Sequence, residues 1–164
     1  MFNFFKKKKE DKGIILSSPI TGEAVNITEV PDPTFAEKML GDGVAIIPSE
    51  GEVVSPVDGT ISMVFDTKHA VSITSTSGVE ILIHVGLDTV SLGGNGFEAF
   101  VKAGDEVKVG DKLLSVNLDV IKEAGLNSIT PVVVCNADEY AAIEAVKLGD
   151  IVRGDAAVKL TPKA

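Results

Sequence analysis

Short apolar runs rich in valine and isoleucine recur along the chain, and glycine, aspartate or proline separates each run from the next. β-branched residues favour strands, and turn residues between such runs mark where a strand reverses. Many short, closely spaced strands are typical of sandwiches and barrels. The pattern therefore predicts an all-β fold, an antiparallel β-sandwich or barrel-sandwich with short helical segments. The runs that predict its strands are 44–47, 61–65, 71–73, 79–85 and 131–135.

Three segments depart from the strand pattern and are candidates for the short helices. In DPTFAEKMLG, Asp32 is a good N-cap residue, Pro33 suits the first turn and Gly41 suits a helix end. The segments DVIKEAG and DEYAAIEAVKLG begin with Asp119 and Asp138, which fit the same cap position. We therefore expect three short helices beside the strands.

The sequence also contains two internal echoes. SPITGEAVNI from Ser18 and SPVDGTISMV from Ser55 share a Ser-Pro-apolar-x-Gly pattern, and Gly-Asp pairs recur in AGDEVKVGDKLL and LGDIVRGDAAVKL. We interpret the first echo as two related strand-turn-strand units. The Gly-Asp pairs predict turns between short strands.

The composition fits one globular domain, which we place at residues 13–164. The chain has 164 residues and 45% hydrophobic content, which suits a single core. The only cysteine, Cys135, excludes an intramolecular disulfide and fits a reducing cytoplasm. It lies in an apolar run without a neighbouring basic residue, so we expect a packed or partly covered strand residue rather than a second reactive group.

Residues 1–12, MFNFFKKKKEDK, differ from the rest of the chain in charge and predict a flexible basic tail. They hold five of the 15 basic residues but only two of the 24 acidic ones. An alternative to a solvated tail is weak contact of its phenylalanines and lysines with an anionic membrane surface. The strongly acidic body argues against nucleic acid as a partner. Because no apolar run approaches the length of a transmembrane helix, we expect a cytoplasmic protein.

The chain has two histidines, and they flank a predicted hairpin. His69 ends FDTKH, His84 follows it by 15 residues, and TSTSG between them predicts the turn. If the numbers of paired residues add up to 153, His69 faces His84 and the two rings share one site. A three-residue loop that ends on a left-handed Gly78 makes that sum 154 and places the histidines on opposite faces. The spacing leaves both registers open.

A close pair of histidines would suit three interpretations. Imidazole is a nucleophile near neutral pH, so one ring could accept a phosphoryl group while the other donates a hydrogen bond. The pair could instead supply two ligands to zinc, or both rings could be core residues without a chemical role. Gly86 and Thr67 favour a site, because Gly86 leaves room beside His84 and the Thr67 hydroxyl lies two residues from His69 on the predicted strand.

Motifs spread over almost the whole chain carry a family resemblance. They are ITGEAVNITEVPDPTFAEKMLGDGVAI, SPVDGTI, TKHAVSI, SGVEILIHVGLDTV, GNGF and TPVVV. With these motifs the chain resembles the IIA component, glucose family, of the bacterial phosphoenolpyruvate-dependent sugar phosphotransferase system. GVEILIHVGLDTV resembles the phosphorylation-site signature of that family and is the most specific of the motifs.

The resemblance implies a role for each residue of the predicted site. His84 matches the histidine that takes a phosphoryl group from the phosphocarrier protein HPr and passes it to a cysteine of a sugar-specific IIB domain. His69 matches the partner that donates a hydrogen bond to the phosphoryl group, and Thr67 matches the hydroxyl that orients it. The family fold is an antiparallel β-sandwich with both histidines in one shallow depression. On that ground the resemblance favours the register that adds up to 153.

The resemblance also implies a docking surface for protein partners. Asp32 and Asp88 match acidic residues at the rim that face positive groups on HPr. We expect Gly86 to leave space for the reactive side chain of the partner. An apolar docking ring is implied at Phe35, Met39, Leu40, Phe65 and Val90.

As a phosphotransferase component, a chain of this kind would require no cofactor and would serve a separate sugar permease. An alternative is a regulatory binding protein whose phosphorylation state controls permeases or kinases. A further alternative is a zinc protein that uses His69 and His84, with zinc held in a regulatory complex. The acidic surface and the resemblance favour a monomer.

Overall fold

Strands account for most of the regular structure in the computed structural model, which describes residues 13–164. The strands are β1 (Ile14–Ser17), β2 (Gly22–Asn26), β3 (Asp42–Pro48), β4 (Glu52–Val54), β5 (Gly59–Val64), β6 (Ala70–Ser75), β7 (Glu80–His84), β8 (Phe97–Ala99), β9 (Glu106–Val107), β10 (Lys112–Val116), β11 (Thr130–Val134), β12 (Tyr140–Ala145), β13 (Gly149–Ile151) and β14 (Ala156–Pro162). The helices are α1 (Pro33–Ala36) and α2 (Leu118–Glu123), and the 3₁₀ turns are Ile27–Glu29, Thr89–Leu92 and Ala137–Glu139.

The strands form one large sheet and two small ones. The large sheet has the order β13-β2-β3-β11-β7-β6-β5-β9, and the small sheets have the orders β1-β14-β12 and β4-β10-β8. Neighbouring strands in all three sheets are antiparallel. The all-β antiparallel sandwich predicted from the apolar runs is therefore confirmed, and the five runs fall on β3, β5, β6, β7 and β11.

Alternation along β6 and β7 separates two apolar clusters on the two faces of the large sheet. Val71, Ile73, Ile81 and Ile83 point to one face and join the main core. The opposite face carries a smaller cluster, which we call the outer cluster. Its buried members are Ile27, Val30, Phe35, Ala45, Ala70, Leu82, Leu87, Ile129 and Val133. His84, two residues after Leu82, projects from β7 on the side of the outer cluster.

The internal echoes mark equivalent turns. The Ser18 and Ser55 hydroxyls are fully buried, and each donates to the carbonyl two residues later, at 2.7 and 2.6 Å. The Gly154 amide donates to the Ser18 carbonyl, and the Gly110 amide donates to the Ser55 carbonyl, both at 2.9 Å. Each Ser-Pro turn is thus tied to one Gly-Asp turn, and each is followed by a strand, β2 or β5.

Two of the three predicted helices form, with different limits. Asp32 caps α1 by accepting a hydrogen bond from the Thr34 amide at 3.0 Å, but α1 ends at Ala36 rather than near Gly41. Lys38 has a left-handed φ of 60°, which is incompatible with a continuing helix. The cap of α2 is Asn117 rather than Asp119.

The prediction of a third helix, in the Asp138 segment, is wrong. The Asp138 segment forms a 3₁₀ turn, Ala137–Glu139, and then strand β12, in which Ile143 pairs with Leu160 of β14. The alanine and glutamate residues of this segment favour a helix locally, but pairing with β14 satisfies its backbone and outweighs that weak preference.

The β6–β7 hairpin adopts the register that adds up to 154. Val71 pairs with Ile83, and Ala70 pairs with His84. The turn ends on Gly78, whose φ is 89°, and its amide donates to the Ser75 carbonyl at 3.0 Å. The register of 153, which the family resemblance favoured, is therefore wrong. A three-residue loop with a left-handed glycine sets the pairing instead.

Among residues 13–164, no helix is long and apolar enough to cross a membrane. The basic tail predicted at residues 1–12, with its alternative of weak contact with a membrane surface, lies outside the described residues.

Candidate functional site

His84 ends strand β7 and lies half-buried against the outer cluster. The Phe35 ring packs against it, with ring centroids 5.2 Å apart and planes at 55°. Phe35 belongs to α1 and its side chain is buried, so one side of the imidazole rests on a fixed apolar support. This support restricts the ring without using either of its nitrogens.

His69 immediately precedes strand β6 and is reached through a tight turn. The Lys68 amide donates to the Phe65 carbonyl at 2.7 Å, and Lys68 adopts a left-handed φ of 59°. The His69 carbonyl accepts from the Val85 amide at 2.7 Å. Because His69 lies outside the regular strand, strict alternation does not fix the side to which its ring turns. The His69 ring therefore reaches His84 even though the register that adds up to 154 was expected to place the two histidines on opposite faces.

The two imidazoles form a T-shaped pair, with centroids 4.9 Å apart and planes at 82°. His69 is only 4% exposed, and the Phe65 ring lies against it with a centroid distance of 5.3 Å. His84 therefore has the more accessible ring of the pair, and His69 is positioned to assist it.

The Thr67 hydroxyl lies 2.6 Å from His69 Nδ1. Thr67 was expected to reach His69 along one face of a strand, but both residues lie in the turn before β6. If the hydroxyl donates to Nδ1, His69 carries its proton on Nε2 and presents an N–H donor.

The backbone fixes the tautomer of His84. His84 Nδ1 lies 2.8 Å from the Gly86 carbonyl oxygen, which accepts hydrogen bonds but cannot donate them. Nδ1 therefore carries the proton, and Nε2 of the neutral ring keeps its lone pair. The arrangement makes Nε2 the nucleophilic atom of the pair.

Burial keeps both rings neutral at physiological pH. Desolvation, with the nearby His84 ring as a smaller cause, lowers the pKa of His69 from 6.5 to about 4. Desolvation also lowers the pKa of His84, opposed by the hydrogen bond to Gly86 and by the charges of Asp32 and Asp88. The unprotonated form needed for nucleophilic attack is therefore the dominant form of His84.

Similarity to known proteins agrees with this geometry. The profile of a family described as phosphoenolpyruvate-dependent sugar phosphotransferase system, EIIA 1, matches residues 14–140. This chain belongs to that family. The function of the family is that of a phosphocarrier in the sugar phosphotransferase system. The resemblance drawn from the motifs is therefore confirmed, and with it the function that it implied.

The alignments with individual relatives cover nearly the full length of this chain. It is 50% identical over 154 residues to the PTS system glucose-specific EIIA component of Oceanobacillus iheyensis, covering 93% of each chain. It is 45% identical over 155 residues to the component of the same name from Staphylococcus aureus, covering 94% of this chain and 93% of the relative. The solved structure of glucose permease IIA from Mycoplasma capricolum matches with a TM-score of 0.83 and 43% identity, covering 91% of this chain and 96% of the other.

Three segments of the EIIA 1 chain surround the histidine pair, and each contains a strained residue. Lys38, Lys68 and Asp88 are the non-glycine residues with positive φ among residues 13–164. They lie in the α1 loop, in the turn before β6 and in the turn after β7. Strained backbone of this kind persists only where the surrounding structure enforces it, and it is concentrated at functional sites.

Two carboxylates and several exposed apolar side chains lie in these segments. Asp32 and Asp88 are close enough to His84 for their charges to act on its pKa. Met39 is 70% exposed, Val90 is 57% exposed and Leu40 is also exposed. The segments thus present exposed apolar side chains and two aspartates near His84, together with the lysines Lys38 and Lys68.

Two of the residues predicted for the docking ring are less accessible. Phe35 is only 5% exposed, and Phe65 is half-buried against His69. The Phe35 ring packs against His84, and its part in a docking ring stays a prediction.

Gly86 is buried and does not provide the open space that was expected of it. Its φ is 78°, and a Cβ atom there would lie 2.6 Å from Thr89 Cγ2 and 2.9 Å from the Asn127 carbonyl oxygen. Glycine is therefore required by the packing of the chain itself. Its contribution to the site is the carbonyl that holds His84.

Two residues that support this turn are not recognisable from the sequence pattern. The Leu87 amide donates to the Asn127 carbonyl at 2.9 Å, and the Thr89 hydroxyl donates to the Val85 carbonyl at 2.6 Å. Asn127 is distant in the sequence and acts through its backbone, so its identity carries no signal. Thr89 lies within the motif, but only its complete burial distinguishes it from the exposed residues beside it.

Cys135 directly follows β11 and is exposed, with a sulfur that is only partly desolvated, so of the two expected states the packed one is wrong. Partial desolvation of the sulfur, together with the charge of Glu80, raises the pKa of its thiol. A raised pKa lowers the thiolate fraction and disfavours a reactive role.

Proposed function

We propose that this chain accepts a phosphoryl group from phosphorylated HPr on His84 Nε2 and passes it to a cysteine of a sugar-specific IIB domain. The observation that carries the proposal is the hydrogen bond between His84 Nδ1 and the Gly86 carbonyl, at 2.8 Å. This contact leaves a lone pair on Nε2 of a neutral ring. The family assignment supplies the phosphocarrier role, and the tautomer selects the atom.

In the first step, the Nε2 lone pair of His84 attacks the phosphorus of the phosphohistidine of HPr. A new N–P bond forms on His84 while the N–P bond of HPr breaks, and its electron pair returns to the leaving imidazole. Such transfers have loose transition states that need alignment and charge stabilisation rather than covalent machinery. The Phe35 ring and the Gly86 carbonyl provide that alignment.

His69 would assist by donating a hydrogen bond from Nε2 to an oxygen of the phosphoryl group. For this to occur, Nδ1 must accept rather than donate, and the Thr67 hydroxyl at 2.6 Å is placed to donate to it. A donor directed at the charge that develops in the transition state contributes more than one that binds the ground state alone.

In the second step, a cysteine thiolate of the IIB domain attacks the phosphorus, and the bond to His84 Nε2 breaks. Nδ1 keeps its proton throughout, hydrogen-bonded to the Gly86 carbonyl, and His84 therefore leaves as a neutral imidazole. No proton has to be moved in either step. The site can therefore remain shallow and open to two protein partners in turn.

The surface around His84 suits a partner with basic groups around an apolar contact. Asp32 and Asp88 supply the negative charge, and Met39, Leu40 and Val90 supply exposed apolar area. Opposite charges at the rim increase the rate of encounter, whereas apolar contact stabilises the complex once formed. Partners of this kind, HPr and the IIB domain of a permease, would place the reaction in the cytoplasm.

The steps proposed above use only side chains and backbone groups, so we propose that the carrier requires no cofactor. A second candidate, zinc binding, rests on the separation of 4.9 Å between the two imidazoles. Within residues 13–164, no group of three or more histidine, cysteine or acidic side chains is arranged to hold a metal. Zinc at this pair would therefore need ligands from water or from a regulated partner.

Reconstitution tests the proposal. The chain is incubated with phosphoenolpyruvate, the first enzyme of the system and HPr, and its intact mass is measured before and after acid treatment. We expect one acid-labile phosphate on the wild type and none on His84→Ala. Absence of phosphate on the folded wild type would refute the proposed function. Stoichiometric zinc retained by the isolated protein would favour the second candidate.

A further inference from the structure

We propose that Thr89 is a positioning residue that holds the turn after His84, so that the Gly86 carbonyl faces His84 Nδ1. The inference rests on the proposed function, because it concerns the atom of His84 that reacts. Thr89 is fully buried, although it lies between the exposed residues Asp88 and Val90. A buried hydroxyl between two exposed side chains indicates a role within the chain.

The Thr89 hydroxyl closes the turn that follows β7. It donates to the Val85 carbonyl across four residues at 2.6 Å. Within the span that it closes, Gly86 and Asp88 both have left-handed φ values, 78° and 59°. Left-handed backbone at an aspartate is unfavourable without outside support. The buried hydrogen bond supplies that support from inside the turn.

The Thr89 side chain and the Asn127 backbone lie on two sides of Gly86 and leave no room for a Cβ atom there. A Cβ atom at position 86 would lie 2.6 Å from Thr89 Cγ2 and 2.9 Å from the Asn127 oxygen, so Gly86 lies closely between the two residues. The same Asn127 oxygen accepts from the Leu87 amide at 2.9 Å. The two hydrogen bonds, from the Thr89 hydroxyl to the Val85 carbonyl and from the Leu87 amide to the Asn127 carbonyl, therefore set the direction of the Gly86 carbonyl.

The direction of that carbonyl determines the chemistry of His84. When it faces Nδ1, the proton resides there and Nε2 is the nucleophile. When the turn relaxes and the carbonyl moves away, the ring can carry its proton on Nε2, and the lone pair then lies on Nδ1, directed into the protein. Thr89 thus acts on the reaction through Gly86 without contacting the phosphoryl group.

The test compares Thr89→Val with Thr89→Ser in the full chain. Valine keeps the volume and removes the hydroxyl, whereas serine keeps the hydroxyl. The tautomer of His84 is determined from imidazole ¹⁵N chemical shifts at pH 8, and phosphorylation by HPr is measured on the same samples. We expect Thr89→Val to populate the Nε2–H tautomer of His84. We also expect it to accept phosphate about 10- to 100-fold more slowly, a typical loss when a hydrogen bond that orients a functional side chain is removed. We expect Thr89→Ser to keep the wild-type tautomer and a rate within about threefold of wild type.

Ser55→Ala is the control for the loss of a buried hydroxyl. Ser55 is also fully buried, and its hydroxyl donates to the Val57 carbonyl at 2.6 Å, not to the turn after His84 or to the Asn127 backbone. We expect this variant to retain the wild-type tautomer and rate. Circular dichroism and thermal unfolding check that each variant folds. If Thr89→Val does not fold, Thr89→Ala removes the same hydroxyl and carries the same expectation.

Wild-type ring shifts and a wild-type rate in the variant without the hydroxyl would overturn the inference. An equal loss in Thr89→Ser, or in Ser55→Ala, would also overturn it. If wild-type protein accepts no phosphate, the proposed function fails, but the ¹⁵N shifts still decide whether Thr89 sets the tautomer. The two failures are therefore distinguishable.

Discussion

His69 and His84 lie edge to face with ring centroids 4.9 Å apart, although they are not paired across the hairpin that connects them. The residue that pairs with His84 is Ala70. The turn before β6 brings His69 alongside His84, and the turn after β7 fixes the tautomer of His84. The chemistry of the site thus depends on two turns, and each can be altered while the strands remain unchanged.

The two histidines should fail in different ways when replaced. His84→Ala removes the nucleophile, so acceptance of phosphate from HPr should be abolished. His69→Gln removes the imidazole donor but leaves His84 Nε2 intact, so this variant should still accept phosphate. Its transfer to a IIB cysteine should be slower by about 10- to 100-fold, the usual loss when one transition-state donor is weakened. Single-turnover transfer from purified phosphoprotein measures this step. Onward transfer at the wild-type rate would refute the role of His69.

Thr67→Val should impair the same step through His69. The variant loses the hydroxyl that lies 2.6 Å from His69 Nδ1, so the His69 ring is free to carry its proton on Nδ1 and present no donor. We expect onward transfer to slow by about 10-fold. The ¹⁵N shifts of His69 should show that its ring has changed tautomer.

Thr74→Val is the control for Thr67→Val. It removes an exposed hydroxyl of β6 that contacts Ser62, and it should leave both the rate of onward transfer and the His69 tautomer unchanged. A Thr67→Val protein with the wild-type tautomer of His69 would contradict the orienting role.

The fold could be predicted from the sequence pattern and the histidine pair was implied by the family resemblance, but the register could not be predicted. Alternation of β-branched residues identified the strands, because each face of the large sheet packs against its own apolar cluster. Both registers place apolar residues opposite one another, so the pattern does not distinguish them. The left-handed Gly78 does, and it was recognised only as one option. His69 reaches His84 because it lies outside the strand, and alternation does not describe such a residue.

The stability of the fold should depend on pH through His69. Its pKa is lowered from 6.5 to about 4 in the folded state, so the folded chain binds fewer protons than the unfolded chain between these values. The resulting stabilisation is complete above pH 6.5 and is lost as the pH falls towards 4. The loss is on the order of 3 kcal/mol in the free energy of unfolding.

Urea unfolding of the wild type and of His69→Gln at pH 7 and pH 4.5 separates this effect from that of the carboxylates. Glutamine does not titrate, so the wild type should lose more stability than the variant over this range. A difference between the two proteins that is independent of pH would show that His69 is not held neutral. NMR titration of His69 measures its pKa directly.

The rim carboxylates should control the rate of encounter with HPr. In Asp32→Asn/Asp88→Asn, the amide at position 32 can still cap α1, so the change removes charge without removing the cap. Stopped-flow measurements should show association slower by about 3- to 10-fold at low salt, and the difference should shrink at high salt. The pKa of His84 should also fall further, because both charges raise it.

Asp138→Asn/Asp150→Asn, at exposed positions of the Ala137–Glu139 turn and of β13, is the matched control for the loss of rim charge. It changes the total charge by the same amount and should leave the association rate close to that of the wild type. A comparable decrease in this variant would show that net charge, rather than the rim, controls encounter.

Other errors of sequence interpretation have the same physical origin, since they concern residues whose state is decided by distant contacts. The Asp138 segment has a local preference for helix but pairs with β14 as strand β12. Gly86 was expected to make room for a partner, whereas Thr89 and Asn127 occupy the space around it.

The most direct measurement is NMR of the phosphorylated chain with ¹⁵N-labelled histidine, which identifies the nitrogen bonded to phosphorus. The hydrogen bond from Nδ1 to the Gly86 carbonyl predicts a single ¹⁵N–³¹P coupling, at Nε2 of His84, with Nδ1 still protonated. A coupling at Nδ1 of His84, or at either nitrogen of His69, would contradict the account.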